Sequence, residues 1–457
     1  MKLKLPAKVS YILDTLRRHG HEAYAVGGCV RDSILAREPD DWDITTSAKP
    51  EEVKKCFRRT VDTGILHGTV TVMLEEDGFE VTTFRIDGTY SDGRHPDEVR
   101  YTSRLSEDLM RRDFTVNAMA YNDENGLIDL YGGMEDLQKK RIRCVGEANE
   151  RFCEDALRVM RAVRFAAQLG FSIDPETRSA ITLHAERLRM VSAERIRTEL
   201  MKLIVSPHPE LFGELFELGI TRVILPEFDE AMNTEQNTPH QMYTVGLHTI
   251  KSMCEVQNDR VLRLAMLLHD LGKPSMKQTD SRGIDHFSGH AEKGAMMADG
   301  ILKRLKFDND TRKRVVNLVR FHDMQPRPVD SEVRKAISLI GKESFEDYLA
   351  VQWADIMAKS AYRREEKLQR VNDVFRAYKE ILSRGDCLSI GELAIDGTDL
   401  LQMGVRGPAI GEILRDCLDE VLKDPEKNDY EYLLTLAGKY MKKMEANELS
   451  SPLRERR

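Results

Sequence analysis

Two aspartates separated by one residue, Asp41 and Asp43, are the first residues whose spacing suggests catalysis. Residues i and i+2 of an extended strand share a face, so the two carboxylates would point the same way. They would repel each other unless a cation lay between them, and Mg²⁺ accepts carboxylate oxygens together with substrate phosphates. A solvated acidic turn is the simpler interpretation of this pair alone. A third acid, Glu80, in the β-prone run at residues 79–84, favours a metal-dependent phosphoryl-transfer site.

Candidate phosphate-binding residues flank the acidic pair. Gly27 and Gly28 follow a predicted strand and open a predicted helix, where bare backbone N–H groups and the helix N-terminus favour an anion. Arg31 on that helix and Arg112, the second of two adjacent arginines, could contact phosphate oxygens. A tight turn and a solvated arginine pair are the alternatives. The nearby acids make triphosphate binding the favoured interpretation.

A predicted helix around residue 160 carries a possible base-reading pair. Asp155 and Arg158 are three residues apart, which places them on one face of a helix. A carboxylate accepts from an exocyclic amino group and a guanidinium donates to ring acceptors, so the pair could imitate the edge of a template base. Arg161 and Arg164 continue at the same spacing beside an apolar stripe. The alternative is an amphipathic helix with exposed ion pairs worth about 0.3–0.5 kcal/mol each.

The elements that would position these residues change character near residue 140. Residues 7–19 have helical periodicity and end at Gly20, a typical helix stop. Short β-prone runs follow at residues 22–26, 43–45, 68–74 and 79–84. Beyond residue 140 the pattern is almost exclusively helical, with breaks near residues 206–209, 233–239, 326–328, 383–389 and 404–408. We therefore predict an α/β head followed by three helical segments.

The composition is that of a globular chain of about three domains with an acidic balance. The 457 residues carry 69 Lys and Arg against 77 Asp and Glu, a net charge of −8, which taken alone argues against a nucleic-acid partner. Residues 139–204, however, hold 14 Lys and Arg against nine Asp and Glu. This segment is basic enough to meet phosphates, so the whole-chain charge does not decide the partner.

The seven cysteines are scattered, and no two have the spacing of a Cys-x-x-Cys motif. That distribution predicts neither a disulfide framework nor a thiolate zinc site, and it fits the reducing cytoplasm. Residues 1–20 lack a continuous apolar segment, and no apolar run is long enough to span a bilayer. We expect a cytoplasmic protein without a secretory signal or a membrane partner, and the oligomeric state is left open.

The acidic pair and the glycine turn together resemble a known family. The run from Gly27 to Asp32, followed by Asp41-x-Asp43, is similar to the nucleotidyltransferase head of the DNA polymerase β superfamily. It resembles class II CCA-adding tRNA nucleotidyltransferases more closely still. Further stretches match that family in the expected order, at residues 63–70, 92–96 (the flexible loop), 111–118 and 154–158. The resemblance covers nearly the whole chain.

A second constellation contains histidines. An apolar run ends in the doublet His269-Asp270, and further histidines and an aspartate lie on either side of it. The order His, His-Asp, Asp resembles the HD phosphohydrolase superfamily, which implies metal ligands on helices. The implied ligands are His248, His269, Asp270 and Asp355. Imidazoles with carboxylates suit a divalent transition metal such as Mn, Ni, Fe or Co. His290 and His322 could hold a second ion or contact phosphate, and hydrogen-bonded core histidines are the alternative.

The two resemblances imply an α+β protein that begins with an α/β nucleotidyltransferase head built on a small mixed sheet. An all-α neck, an HD helical domain and a helical tail would follow. The implied domains are residues 1–140 (head), 141–235 (neck with the nucleotide-selecting helix), 236–360 (HD domain) and 361–457 (tRNA-binding tail).

The implied activity is addition of CCA to the tRNA 3′ end from CTP and ATP, without a nucleic-acid template, by two-metal phosphoryl transfer. The HD domain would be a phosphodiesterase or phosphatase. The implied catalytic residues are Asp41, Asp43 and Glu80, with Mg²⁺ on Asp41 and Asp43. The implied nucleotide-binding residues are Gly27, Gly28, Arg31, Arg112, Asp155, Arg158, Arg161 and Arg164.

Four other interpretations stay open. A bacterial poly(A) polymerase shares the head, but residues 63–70 fit the CCA-adding family better, and CC-only enzymes tend to lack the loop at residues 90–96. A nucleotide-regulated HD phosphohydrolase would use its head only to bind nucleotides, and the intact Asp41, Asp43 and Glu80 argue against that. In a noncatalytic RNA-binding protein, neither the acidic residues of the head nor the histidine and aspartate residues of the HD-like pattern would have a function.

Overall fold

The computed structural model describes residues 2–65, 68–88 and 99–450 and is 59% helical, with an N-terminal mixed sheet and a helical body. It divides into two compact units, Met1–Glu230 with Lys303–Phe307 and Ala231–Leu302 with Asp308–Arg457. The α+β class expected from the sequence is confirmed. The predicted flexible loop at residues 90–96 and residues 66–67 of the stretch at 63–70 lie outside the described residues. The finer division into four domains stays a prediction.

The first unit contains a mixed set of short strands and helices. Its strands are β1 (Ala23–Val26), β2 (Ile44–Thr46), β3 (Thr60–Gly64), β4 (Thr69–Leu74), β5 (Asp77–Thr83), β6 (Arg85–Asp87), β7 (Val99–Tyr101), β8 (Met119–Asn122), β9 (Gly126–Asp129), β10 (Arg141–Ile142) and β11 (Ser172–Ile173). Its helices are α1 (Ala7–Arg18), α2 (Gly28–Ile34), α3 (Pro50–Cys56), α4 (Leu105–Met110), α5 (Gly133–Gln138), α6 (Ala148–Glu154), α7 (Arg158–Leu169), α8 (Pro175–His184), α9 (Ala193–Ile204), α10 (Phe212–Glu217), α11 (Thr221–Ile224) and α12 (Pro226–Met232).

The second unit is helical apart from one two-residue strand pair. Its elements are α13 (Val245–Glu255), α14 (Arg260–Leu268), α15 (Lys273–Met276), β12 (Gln278–Thr279), β13 (Asp285–His286), α16 (His290–Arg304), α17 (Asn309–Phe321), α18 (Asp330–Ile340), α19 (Phe345–Ala358), α20 (Arg364–Arg384), α21 (Gly397–Gln402), α22 (Pro408–Lys423) and α23 (Tyr430–Ser450). Helices α13, α14, α17 and α19 pack against one another, and α20 packs on α19.

Seven strands form one mixed sheet in the order β3-β4-β5-β2-β1-β8-β9. Its neighbours are antiparallel except for β2 and β5, which run parallel with Ile44 opposite Val81. Because parallel strands begin at the same edge, the residues just before Ile44 and Val81 lie side by side. This edge of the sheet therefore carries Asp43 and Glu80.

Helices cover both faces of this sheet. On one face Ile12 and Leu16 of α1 pack with Val81 of β5. On the other face Leu109 of α4 packs with Tyr24 of β1. Since successive side chains of a strand alternate between the faces, β1 contributes Ala23 to the first cluster and Tyr24 to the second. The sheet edge that carries the acids is thus fixed by apolar packing behind it.

The helix predicted at residues 7–19 is confirmed as α1, and Gly20 follows it with a positive φ of 86°. The four β-prone runs are confirmed as β1, β2, β4 and β5. Strands β3, β8 and β9 were not predicted. Within residues 2–65, 68–88 and 99–450, no helix combines the length and the apolar character needed to cross a membrane.

Candidate active site and metal centre

The acidic edge of the sheet is built by the parallel pairing of β2 and β5. Asp43 directly precedes Ile44 and Glu80 directly precedes Val81, and these two successors are paired. Asp41, Asp43 and Glu80 are all exposed. The pKa of Asp43 is raised, first because surrounding protein removes part of its hydration and then because Asp41 and Glu80 add negative charge beside it. The structure therefore concentrates negative charge at this edge, which suits a divalent cation.

The glycine turn faces an arginine rather than open solvent. Gly27 has a φ of 84°, which glycine adopts without steric cost, and its N–H donates to the carbonyl of Met119 at 3.1 Å. A Cβ at Gly27 would lie only 3.0 Å from Nη1 of Arg112. Glycine is therefore required here for two reasons, the backbone conformation and the close approach of the guanidinium.

Arg112 connects the glycine turn with the acidic edge. Its side chain is only 18% exposed, and its nearest described carboxylate is Asp108, with Nη2 at 3.7 Å from Oδ2. Its Nε has no hydrogen-bond partner among the described residues. Burial lowers the pKa of Arg112, and the charges of Asp108 and Asp43 partly offset this effect. A buried guanidinium with unused donors beside Gly27 and Asp43 can donate to phosphate oxygens.

Arg31 is already held by neighbouring side chains. Its Nε and Nη2 donate to the two carboxylate oxygens of Asp32 at 2.9 and 2.8 Å, and its Nη1 donates to Oδ1 of Asn117 at 2.5 Å. The side chain is buried. Arg31 is therefore fixed in position, and a phosphate at the turn would share it with Asp32.

Asp155 and Arg158 do not lie on one helix, so the sequence-based expectation of a shared helical face is wrong. Helix α6 ends at Glu154, and Asp155 has extended backbone angles (φ −138°, ψ 106°) before α7 begins. The Asp155 carboxylate accepts from the N–H of Leu157 at 3.0 Å and from both Nη atoms of Arg195 at 3.2 and 2.7 Å. An aspartate that captures the backbone N–H two residues on competes with the helix, which explains the break.

Arg158 occupies the first turn of α7 and holds neighbouring segments together. Its Nη1 donates to the carbonyl of Arg151 and its Nη2 to the carbonyl of Arg111, each at 3.0 Å. It also pairs with Glu154. The guanidinium thus links α6 to the segment that carries Arg112.

Arg161 and Arg164 pair with acids that sequence reasoning missed. Arg161 donates to Oδ2 of Asp113 at 2.8 and 2.5 Å, and Arg164 pairs with Glu199. Although burial opposes it, Arg161 holds the pKa of Asp113 well below its usual range. The two arginines, together with Arg31, place their guanidinium carbons 5.3, 3.7 and 5.2 Å from the ring centroid of Phe165. The sequence signal for this arrangement is Phe165, an aromatic residue directly after the arginines spaced three apart at Arg158, Arg161 and Arg164.

A cavity of about 560 Å³ adjoins these groups in the first unit. Residues from the glycine turn, the acidic pair, α7 and α9 line it, among them Gly28, Arg31, Asp41, Arg164, Phe165 and Lys202. Its volume is that of a small-molecule site. Asp155 and Arg158 do not line it, and Lys202 is a basic lining residue that the sequence analysis did not identify.

The four histidine and aspartate ligands predicted in the second unit come together. His248 Nε2 lies 3.0 Å from Oδ1 of Asp355 and 3.5 Å from Oδ2 of Asp270, and His269 Nε2 lies 3.2 Å from that same Oδ2. All four residues are buried. Their ligand atoms lie within 4.8 Å of one another. The cluster joins α13, the end of α14 and α19.

His290 and His322 form a second group around the same carboxylate. Each has its Nε2 at 3.5 Å from Oδ1 of Asp270, and the two Nε2 atoms are 3.2 Å apart. The ligand atoms of this group also lie within 4.8 Å of one another. Asp270 therefore belongs to both groups, and its Oδ2 faces His248 and His269 while its Oδ1 faces His290 and His322.

The protonation of the rings leaves lone pairs facing Asp270. The Nδ1 atoms of His269, His290 and His322 lie 2.7–2.8 Å from backbone carbonyls, which can only accept, so each Nδ1 carries the proton. The neutral Nε2 atoms are then bare acceptors that point at a carboxylate. His269 Nε2 and Asp270 Oδ1 have no hydrogen-bond partner among the described residues. Acceptors facing acceptors in a buried site fit a divalent cation.

Two lysines compensate the buried aspartates. Lys273 Nζ lies 2.6 Å from Oδ2 of Asp270, and Lys359 pairs with Asp355. Although burial opposes it, the positive charge of Lys273 helps to hold the pKa of Asp270 well below its usual range. Both carboxylates are therefore ionised and available as ligands.

Comparisons with known proteins show which family this chain belongs to. The chain matches three family profiles: the Poly A polymerase head domain over residues 23–143, the RNA and SrmB-binding site of polymerase A over residues 170–232, and tRNA nucleotidyltransferase domain 2 over residues 291–437. His248, His269 and Asp270 lie outside all three matched ranges. His322 and Asp355 fall within the third matched range, so the profiles cover the histidine cluster only in part.

Individual relatives cover the chain to different extents. It is 54% identical over 199 residues to the CCA-adding enzyme of Levilactobacillus brevis, an alignment that spans 44% of this chain and 50% of that protein. The crystal structure of the Bacillus stearothermophilus CCA-adding enzyme in complex with CTP is 29% identical, with a TM-score of 0.71 over 97% of this chain and 100% of that one. The CCA-adding enzyme of Lactobacillus delbrueckii subsp. bulgaricus is 35% identical over 419 residues, covering 91% of this chain and 93% of that protein. On this near full-length match, the chain belongs to the family of CCA-adding enzymes.

Proposed function

We propose that this protein adds CMP, CMP and AMP to the 3′ end of tRNA from CTP and ATP, without a nucleic-acid template. The observation that carries the proposal is the placement of Asp43 beside Glu80 on the parallel strands, with Asp41 next to them and Arg112 behind the glycine turn. Membership of the CCA-adding family supports it. We expect this activity in the cytoplasm, where the seven thiols would stay reduced.

Asp41 and Asp43 would hold the divalent metal of the head, which we propose to be Mg²⁺ because carboxylate oxygens are its preferred ligands. The bound metal would supply a lowered pKa for the attacking 3′-hydroxyl and charge neutralisation on the triphosphate. Glu80 adds negative charge at the same edge. Arg112 and Arg31 would bind phosphate oxygens at the turn formed by Gly27 and Gly28. The 3′-oxygen bonds to the α-phosphorus as the bond to pyrophosphate breaks.

Selection of the base is proposed for Asp155 and Arg158, in agreement with the motif at residues 154–158. Arg195 holds the Asp155 carboxylate through both oxygens. That contact fixes the orientation of Asp155, and its acceptor atoms would have to be shared with the amino group of the incoming base. Arg161 and Arg164 lie next to Phe165 and would contribute positive charge near the triphosphate.

The test is extension of tRNA that lacks its 3′ end, with each NTP alone and with all together, followed by sequencing of the products. Addition that stops at CCA is the expected result. Unlimited addition of A would identify a poly(A) polymerase, and addition that stops at CC would identify a CC-adding enzyme. No addition would favour a nucleotide-binding head attached to a hydrolase.

A second activity is proposed for the histidine cluster, because its bare Nε2 atoms converge on Asp270. His248, His269, Asp270 and Asp355 would hold one divalent transition metal, with Mn, Ni, Fe or Co fitting this mixed donor set. Bound there, the metal would activate water for hydrolysis of a phosphate ester. An oxygen–phosphorus bond forms from water, the ester oxygen–phosphorus bond breaks, and the leaving alcohol takes a proton. His290 and His322 would hold a second ion or contact the phosphate.

Metal analysis of the purified protein tests this second activity. His269→Ala and Asp270→Ala are expected to remove bound Mn, Ni, Fe or Co and to abolish hydrolysis of 2′,3′-cyclic phosphates. Unchanged metal content in both variants would contradict it. His286→Ala is the matched control, since this exposed histidine contacts Asp280 and lies outside the cluster.

A further inference from the structure

A cavity of about 720 Å³ opens beside the histidine cluster in the second unit. Asp355, which belongs to the cluster, forms part of its wall, and α20 forms much of the rest. The polar residues of the wall include Asp323, Gln325, Asp355, Lys359, Lys367 and Arg370. A site for hydrolysis of a phosphate ester would therefore open into a space large enough for more than the phosphate itself.

Most charges in this cavity are internally paired. Lys359 pairs with Asp355, and Arg363 pairs with Glu366. Asp373 pairs with Arg376. These groups keep their partners whether or not a ligand is present. They therefore contribute little net attraction for an anion.

Lys367 and Arg370 differ from the other basic residues of the wall. Within the described part of the chain, neither lies within the 4.0 Å ion-pair distance of a carboxylate. Lys367 Nζ contacts Nδ1 of His240 at 3.0 Å, and Arg370 donates to Oε1 of Gln325. Both contacts are to neutral acceptors, so neither positive charge is taken up by a direct ion pair among the described residues, although Asp323, Asp355 and Glu366 act on them from a longer distance. Asp323 is the remaining acid of the wall, at the side next to His322.

The two cations lie together on α20, a helix that carries none of the candidate metal ligands. Lys367 and Arg370 are three residues apart on α20 and therefore share one face of the helix. Arg363 precedes that helix and pairs with Glu366, so the basic row of this wall consists of Lys367 and Arg370. Burial and the positive charges of Lys359 and Arg363 lower the pKa of Lys367, which shows that positive charge is concentrated on this wall. A single phosphate at the cluster would leave such a row unused.

We propose that the cavity binds a phosphate ester with a second phosphate group, held by Lys367 and Arg370 while the first lies at the histidine cluster. The ligand class is a nucleotide or RNA end with two phosphates, as opposed to a nucleoside monophosphate. This proposal rests on the hydrolase function proposed for the cluster, but it makes a separate claim about binding.

The test compares two probes by calorimetry on the full-length Mn²⁺-loaded protein: adenosine 3′-monophosphate and adenosine 3′,5′-bisphosphate. The wild type is expected to bind the bisphosphate more tightly. Lys367→Gln and Arg370→Gln should each reduce that preference by about tenfold, the loss of one charge-assisted contact, and leave monophosphate binding within about twofold. Arg370→Lys, which keeps the charge, should retain most of the preference. A dinucleotide that carries two phosphates then distinguishes an RNA end from a free nucleotide.

Lys379→Gln is the matched control, since this lysine lies on the same helix and contacts Glu346. It should bind both probes as the wild type does. An unchanged bisphosphate preference in Lys367→Gln and Arg370→Gln would overturn the proposal, as would equal weakening of both probes. If these variants lose the preference for the bisphosphate but the wild type hydrolyses no ester, the second phosphate site in the cavity is supported and the hydrolase function is rejected. If the wild type hydrolyses the ester but Lys367→Gln and Arg370→Gln keep the bisphosphate preference, the hydrolase function is supported and the second phosphate site is rejected.

Discussion

The carboxylate of Asp43 lies near the negative charges of Asp41 and Glu80 and near the positive charge of Arg112. Loss of hydration is the largest cause of its raised pKa, the charges of Asp41 and Glu80 raise that pKa further, and Arg112 lowers it. Above the unfolded pKa of about 3.9, a carboxyl whose folded pKa is raised reduces stability, because the folded state disfavours its charged form. The position of Asp43 therefore suits metal binding but lowers the free energy of unfolding of the metal-free protein.

Replacement of that carboxylate should separate activity from stability. Asp43→Asn removes the charge, so we expect nucleotide addition to tRNA to fall by about 10²–10³-fold or more. The melting temperature should stay the same or rise, since a neutral amide relieves the repulsion. Extension assays and thermal unfolding measure the two effects. Asp77→Asn, at an exposed acid that contacts Lys8, is the control and should leave activity unchanged. Full activity of Asp43→Asn would refute its role.

Substitution of Gly27 tests the effect of a steric contact with Arg112 separately from the effect of backbone strain, because Gly126 offers a control with strain alone. Gly27→Ala would place a Cβ 3.0 Å from Arg112 Nη1 at a φ of 84°. Gly126→Ala has similar strain, with a φ of 70°, but no heavy atom within 4 Å of the new Cβ. Each should reduce stability by about 1 kcal/mol. Only Gly27→Ala should raise KM for CTP and ATP, because only there is the guanidinium displaced. Equal KM values in the two variants would contradict the placement of Arg112.

Among the elements, those with clear periodicity were predictable from the sequence and those defined by tertiary contacts were not. Helix α1 and strand β5 show their patterns in the chain itself. Strand β8 is four residues long and buried throughout, so it has no alternation to detect. The break between α6 and α7 depends on Asp155, whose partner Arg195 is 40 residues away. Residue types therefore located the candidate site, but the partners that orient it required the fold.

The contact between Asp155 and α9 makes Arg195 a testable positioning residue. Arg195→Ala removes both donors from the Asp155 carboxylate, so we expect incorporation of UMP and GMP to rise by about tenfold relative to CMP. A lysine cannot reproduce the two-pronged contact, so Arg195→Lys should restore selection only in part. Sequencing of extended tRNA gives the ratio of bases, and Arg189→Ala, at an exposed arginine paired with Glu186, is the control. A uniform loss of rate with unchanged selection would indicate a purely structural role.

The whole molecule combines an acidic chain with a basic segment. The net charge of −8 coexists with the excess of Lys and Arg in residues 139–204, and several of these arginines are committed to acids such as Asp113, Asp155 and Glu199. The counted excess therefore overstates the charge available to phosphates. What distinguishes the segment is that Arg161 and Arg164 contact the ring of Phe165 and that Arg164 lines the same cavity as Asp41.

The two candidate sites lie in different compact units, which predicts that each can be disabled alone. Asp43→Asn should abolish nucleotide addition and leave ester hydrolysis and the transition-metal content unchanged. His269→Ala should remove that metal and hydrolysis, because it deletes a ligand atom next to Asp270, and should leave CCA addition within about twofold of the wild type. Both activities and the metal content are measured on the same full-length preparations. Loss of both activities in either variant, with thermal unfolding unchanged, would show that the sites are coupled and would contradict their independence.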